Sequence, residues 1–133
     1  MEQTYVMLKP DAIKRKLAGR IIARIEDKGY RIINLKIMNL NREVLRKHYS
    51  HITEKTYYPE LENHILSGPV WGLIVEGDNA VMGIRTLMGT TKFEDGCAGT
   101  IRGDFANSTM ENLIHGSDSM ENAQIEIKRF FSE

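Results

Sequence analysis

The chain has little that would staple it, anchor it or give it one dominant charge. Its lone cysteine, Cys97, excludes an internal disulfide and cannot build a cysteine-rich zinc site, which points to a reducing compartment, the cytoplasm. No apolar run approaches the roughly eighteen residues that a membrane span needs, and Met1 to Pro10 shows no basic leader ahead of an apolar stretch. No membrane association and no export are therefore expected. Lysine and arginine number 18 against 18 acidic residues, so no overall field favours DNA, RNA or an anionic surface. A small ligand bound by locally placed charge is expected instead. No Gly-x-x-x-x-Gly-Lys-Ser/Thr and no Gly-x-Gly-x-x-Gly occur, which excludes a Walker-type phosphate loop, a dinucleotide fingerprint and a protein-kinase lid. Any phosphate chemistry must then rest on side chains.

At 133 residues the chain fits one domain, residues 1–133, with no internal repeat, linker or low-complexity tract. Residues 3–9 read as a central strand, because Tyr5, Val6, Met7 and Leu8 run without polar alternation. From Asp11 to Lys28 apolar residues recur at helical spacing, with Asp11 placed to cap, Gly29 to terminate and Gly19 to interrupt. Over 30–38, Ile33, Leu35 and Ile37 alternate with polar residues, which predicts a strand with one dry face. Short helices are predicted over 42–51 and 59–66, a strand over 70–75 and a helix over 79–88. A long loop follows over 89–111, a class of segment that usually carries function. A strand over 113–115 precedes a last helix opened by a capping box, Asp118 with Glu121, and burying Met120, Ala123, Ile127 and Phe130. This order predicts an α+β, ferredoxin-like sandwich, a four-stranded antiparallel sheet with helices on one face. A doubly wound parallel sheet is the alternative.

The chemistry concentrates in Gly99-Thr100-Ile101-Arg102-Gly103-Asp104-Phe105 and Asn112-Leu113-Ile114-His115-Gly116-Ser117-Asp118-Ser119. Glycines admit an anion close to backbone, arginine clamps phosphate oxygens with a planar fork, and a neutral imidazole attacks phosphorus. His115 ends an apolar strand just before a helix start, where backbone amides and the helix dipole favour a phosphoryl group. A buried histidine serving a carbonyl is the plain alternative, but Glu126 on the next helix can fix the ring tautomer, and this favours catalysis. Lys9 closes a buried strand, where sites open, and Arg85 lies beside an apolar helix face. Tyr57 in a polar turn offers a flat face to a nucleobase. His48, His51 and His64 read as surface histidines without metal-ligand spacing. The tripeptide Arg102-Gly103-Asp104 is discounted as an adhesion signal for want of export.

Together with Leu8-Lys9-Pro10-Asp11-Ala12, His48-Tyr49 and Ser67-Gly68-Pro69-Val70, these segments closely resemble the nucleoside diphosphate kinase family over essentially the whole chain. The resemblance implies a homo-oligomer, tetramer or hexamer, and Mg2+-dependent transfer of the terminal phosphoryl group from a nucleoside triphosphate, usually ATP, to a nucleoside diphosphate. The route it implies is ping-pong through a phosphohistidine. His115 matches the family nucleophile, with Glu126 and Ser117 holding its ring. Lys9 and Asn112 match contacts to the sugar, with Lys9 and Tyr49 also near the transferred phosphate. Arg85, Thr91 and Arg102 match the phosphate clamp, Tyr57 and Leu61 the base platform, and Asp118 the carboxylate near the metal. Two departures stand out. The family often has Pro-Phe-Phe where this chain has Thr56-Tyr57-Tyr58, and both of its loop prolines are replaced, at Phe93 and at Ala98. The latter predicts a looser loop.

Against this enzyme stands a nucleotide- or RNA-sensing module on the same fold. An RNA platform needs exposed strand aromatics on a basic face, which the sequence lacks.

Overall fold

The computed structural model describes residues 1–132. Four strands form one sheet in the order β2-β3-β1-β4, where β1 is Glu2–Leu8, β2 Arg31–Met38, β3 Val70–Gly77 and β4 Ile114–Gly116. Every pairing is antiparallel, which excludes the parallel alternative. The helices are α1 Pro10–Lys14, α2 Ala18–Asp27, α3 Arg42–His48, α4 Tyr58–Ile65, α5 Ala80–Met88, α6 Ile101–Phe105 and α7 Met120–Phe131.

The helices cover both faces of the sheet, where one face was expected. Successive side chains of a strand point to opposite sides, and from Tyr5 to Leu8 β1 is apolar on both. Val6 and Leu8 pack with Ile21, Ile25, Ile84 and Ile101, whereas Tyr5 and Met7 pack with Leu45, Leu61, Ile65 and Phe130. The rings of Tyr5 and Phe130 stack at 4.7 Å. Two dry cores clamp β1, and the functional residues hang from its C-terminal end.

Three local expectations are corrected. The first helix breaks at Lys16, whose φ is 58°, and Gly19 sits undisturbed inside α2. Asp11 does not cap it; its buried carboxylate accepts from His64 Nε2 and from the Leu113 amide, both at 3.0 Å. On β2 the supposed dry face is wet, since Ile33, Leu35 and Ile37 are 40%, 41% and 60% exposed. A bulge between Ile32 and Asn34 resets the alternation on this edge strand.

The loop over 89–111 also contains structure. Thr100 caps α6 by accepting from the Gly103 amide, and a 3-10 turn spans Phe93–Asp95. At α7 the capping oxygen belongs to Ser119, which accepts from Asn122 N, rather than to Asp118. Of the residues expected to be buried there, Ala123 and Phe130 are, Ile127 is half-buried, and Met120 is exposed.

Candidate active site

A cleft of about 630 Å³ opens where β4 meets β1, α5 and α7. Its wall includes Lys9, Tyr49, Arg85, Thr91, Arg102, Asn112, His115, Asp118 and Glu126, nine of the twelve residues singled out from sequence. Ser117 is buried behind them, and Tyr57 and Leu61 lie outside the wall, Tyr57 exposed and Leu61 packed in the second core.

His115 is presented by β4, whose three residues pair with Val6, Met7 and Leu8. Just before it, Leu113 adopts φ 76°, a left-handed conformation that a leucine holds only under constraint. The constraint is visible: its amide donates to Asp11, and its carbonyl accepts from the Lys9 amide at 2.9 Å. At Gly116 a Cβ would fall 2.6 Å from Met88 Sδ, so a larger residue there would force the α5 side chains to shift. The imidazole is half-buried, with Nε2 2.7 Å from Glu126 Oε1, and Ser117 Oγ donates to that same oxygen at 2.7 Å. An ionised carboxylate only accepts, so in the neutral ring Nε2 carries the proton and Nδ1 keeps a lone pair. That leaves a nucleophilic nitrogen on the ring.

Positive charge surrounds it. Lys9, 6% exposed, donates from Nζ to Asn112 Oδ1 at 2.8 Å. Burial, reinforced by Arg102, lowers its pKa to about 8. Arg102 is equally buried and donates from Nε to the Asn112 carbonyl at 3.2 Å, from Nη1 to that of Gly89 at 3.2 Å and from Nη2 to that of Ile114. A guanidinium has five N-H groups, so two remain for a ligand. Burial, with Arg85 nearby, lowers its pKa to about 10, and it stays charged at neutral pH. Arg85 is exposed and reaches the Gly116 carbonyl at 3.4 Å. An anion entering this cleft meets cations already fixed in place, which is what a charged transition state requires.

Asp118 lies on the rim, held by Asn122 Nδ2 at 2.6 Å, and that hydrogen bond keeps its carboxyl below the usual range. The side chain is therefore ionised. His48, His115 and Glu126 bring ligand atoms within 4.8 Å of one another, but Lys9, Arg102 and Arg129 share the same cleft and disfavour a bare divalent cation among them.

His48 is the clearest departure from expectation, being buried beside His115 instead of solvated. Leu45 and His48 share one face of α3, with Tyr49 as its C-cap, and that spacing was a signal of burial. Asn122, Ile125 and Arg129 also line the cleft, spaced along one face of α7 with Glu126, and were missed. His51 is exposed as expected, and His64 is half-buried on Asp11.

The model of the family described as nucleoside diphosphate kinase matches residues 2–133. The chain belongs to the nucleoside diphosphate kinase family. Among curated members it is 47% identical over 133 residues to the nucleoside diphosphate kinase of Acetivibrio thermocellus, covering 100% of this chain and 98% of that protein. It is 48% identical to that of Thermus thermophilus, over 98% of this chain and 96% of the relative. Two solved nucleoside diphosphate kinases superpose on it closely. The apo enzyme of Encephalitozoon cuniculi gives a TM-score of 0.97 at 44% identity, covering 100% of this chain and 90% of that one. The Halobacterium salinarum enzyme in complex with CDP gives 0.96 at 40% identity, covering 99% and 88%. The antiparallel α+β architecture is that of the family, and the chain is an enzyme of the kinase class acting on nucleotides.

Proposed function

We propose that His115 carries the phosphoryl group in a ping-pong exchange between a nucleoside triphosphate, mainly ATP, and a nucleoside diphosphate, within one domain over residues 1–133. The observation that supports this is the Glu126 contact at 2.7 Å, which in the neutral His115 ring puts the proton on Nε2 and leaves the Nδ1 lone pair free in a cleft lined by Lys9, Arg85 and Arg102. Nδ1 attacks the γ-phosphorus, the bond to the β-γ bridging oxygen breaks, and the diphosphate leaves with that electron pair. The acceptor's terminal oxygen then reverses the step. Because the transition state is loose, the protein's task is positioning and charge neutralisation. Arg85, Arg102 and Thr91 hold the phosphates, Lys9 and Asn112 the sugar, and Lys9 and Tyr49 the transferred group. The base would rest on Tyr57, exposed at the head of α4, and Leu61, expected to share that role, is packed in the second core.

Mg2+ would be held on the nucleotide's own phosphates, with Asp118, ionised and in the cleft lining, as the protein carboxylate available to it. Bound there, it would neutralise charge on the phosphate chain. The exposed apolar residues of edge strand β2, Ile33, Leu35 and Ile37, support assembly into a homo-oligomer. The compact cytoplasmic setting read from the lone cysteine is consistent with a nucleotide-pool enzyme.

The deciding experiment is incubation with γ-labelled ATP. Acid-labile, base-stable label on the protein that is chased onto GDP is the expected result; nucleotide binding without any transferred label would support a sensor instead. Glu126→Ala is expected to lower kcat roughly tenfold to a hundredfold with KM little changed, because it orients the ring and touches no ligand. Parallel losses in binding and turnover would contradict that role. The buried Lys9 sets a pH dependence. Its charge disappears as pH rises through about 8, so nucleotide affinity should fall above that pH, and binding there should take up a proton. Calorimetry in two buffers of different ionisation enthalpy measures that uptake.

A further inference from the structure

His48 closes α3 and is 7% exposed, yet its surroundings are not those of a silent core residue. Its Nδ1 lies 3.2 Å from Arg129 Nη1. A guanidinium only donates, so Nδ1 holds the lone pair and the neutral ring keeps its proton on Nε2. Burial, with His115, Arg129, Lys9 and His51 nearby, depresses the ring's pKa to about 2 and keeps it neutral. Nε2 is itself buried and has no hydrogen-bond partner among the described residues. Burying a lone donor is unfavourable, and apolar packing alone would be better served by a phenyl ring.

The ring stands edge-on to His115, with centroids 4.6 Å apart and planes at 79°. Tyr49 at 4.7 Å and Phe130 at 5.2 Å close further sides. A His48 nitrogen also falls within 4.8 Å of both a His115 nitrogen and a Glu126 oxygen. Free to turn, such a ring would compete with His115 for the carboxylate that sets the nucleophile's tautomer. The bond from Arg129 opposes that turn.

We infer that Arg129, acting through His48, is a positioning residue for His115: the guanidinium locks the His48 ring, and that ring holds the plane of the nucleophile and leaves Glu126 to it. The inference rests on His115 being the phosphate carrier proposed above. Arg129 comes from the same helix as Glu126, one turn further on, so α7 governs His115 from two directions.

The test is a double-mutant cycle on the full chain with Arg129→Met, His48→Phe and the pair, plus Arg129→Lys. Steady-state kinetics and the ¹⁵N shifts of the His115 ring in the free enzyme are the readouts. Arg129→Met should lower kcat roughly tenfold with the nucleotide KM within about twofold, and should move the His115 ring away from a single Nε2-protonated tautomer. Arg129→Lys should recover most of both. The double variant should be no slower than His48→Phe alone, since the arginine works only through that ring. Additive losses, a KM that rises in step with the fall in kcat, or an unmoved kcat and tautomer would each overturn the inference. If His48→Phe does not fold, His48→Gln completes the cycle. Absence of phosphoenzyme in the wild type would defeat the proposed reaction instead, and the resting-state tautomer still reports on the present one.

Discussion

His115→Ala is expected to abolish acid-labile label on the protein and to lower phosphoryl transfer on the order of 10⁴-fold or more, with nucleotide affinity within a few-fold of the wild type. The separation follows from geometry. The groups that would hold phosphate and sugar are anchored independently of the imidazole: Lys9 on Asn112, Arg102 on three backbone carbonyls, Arg85 on Gly116. Removing the ring leaves that cradle standing and deletes only the atom that forms the bond to phosphorus. Quench-flow with labelled ATP measures the first quantity and equilibrium dialysis with ADP the second. A persistent phosphoenzyme in this variant would place the carrier on another residue.

Arg102→Ala should damage the protein twice. Of the three carbonyls it serves, those of Gly89 and Ile114 lose their donor and that of Asn112 keeps only the Ile114 amide, and each acceptor left unpaired costs about 1 kcal/mol or more. A loss on the order of 3 kcal/mol corresponds to a melting temperature lower by roughly 10 °C in a domain of this size. Because those carbonyls border β4 and the approach to it, kcat should fall with stability, roughly a hundredfold or more, as positioning and charge are lost together. Arg102→Lys separates the two effects. The ammonium restores charge but not the planar fork, so phosphate affinity should recover further than the melting temperature. Thermal denaturation beside steady-state kinetics reads both, and an unchanged melting temperature in Arg102→Ala would refute the tie.

How much of this was readable from residues alone depended on the range of the interaction. Strand β1 announced itself because a segment buried on both faces must be apolar at every position, and Tyr5 to Leu8 are. The cleft residues were readable as chemistry: glycine, hydroxyl, arginine and histidine in two short segments. What stayed hidden was set by distant partners. Asp11 has the form of a helix cap, but its carboxylate is claimed by Leu113 and His64, from segments far along the chain. Arg102 reads as a ligand clamp, yet three of its donor groups serve backbone. The alternation on β2 was a true strand signal, but on this edge strand both sets of side chains are open, Asn34 and Lys36 as well as Ile33, Leu35 and Ile37. His48 was misjudged because charged neighbours in sequence, Arg46 and Lys47, obscured a helical face that points to the core.

The strand order has a consequence for how copies of this enzyme coexist. The greasy border β2 and the reactive border β4 are the two outermost strands of one sheet, with β3 and β1 between them. Subunits joined through β2 would keep their reactive borders facing outward, so each pocket would fill and empty without a neighbour's help, and turnover per subunit would show no cooperativity.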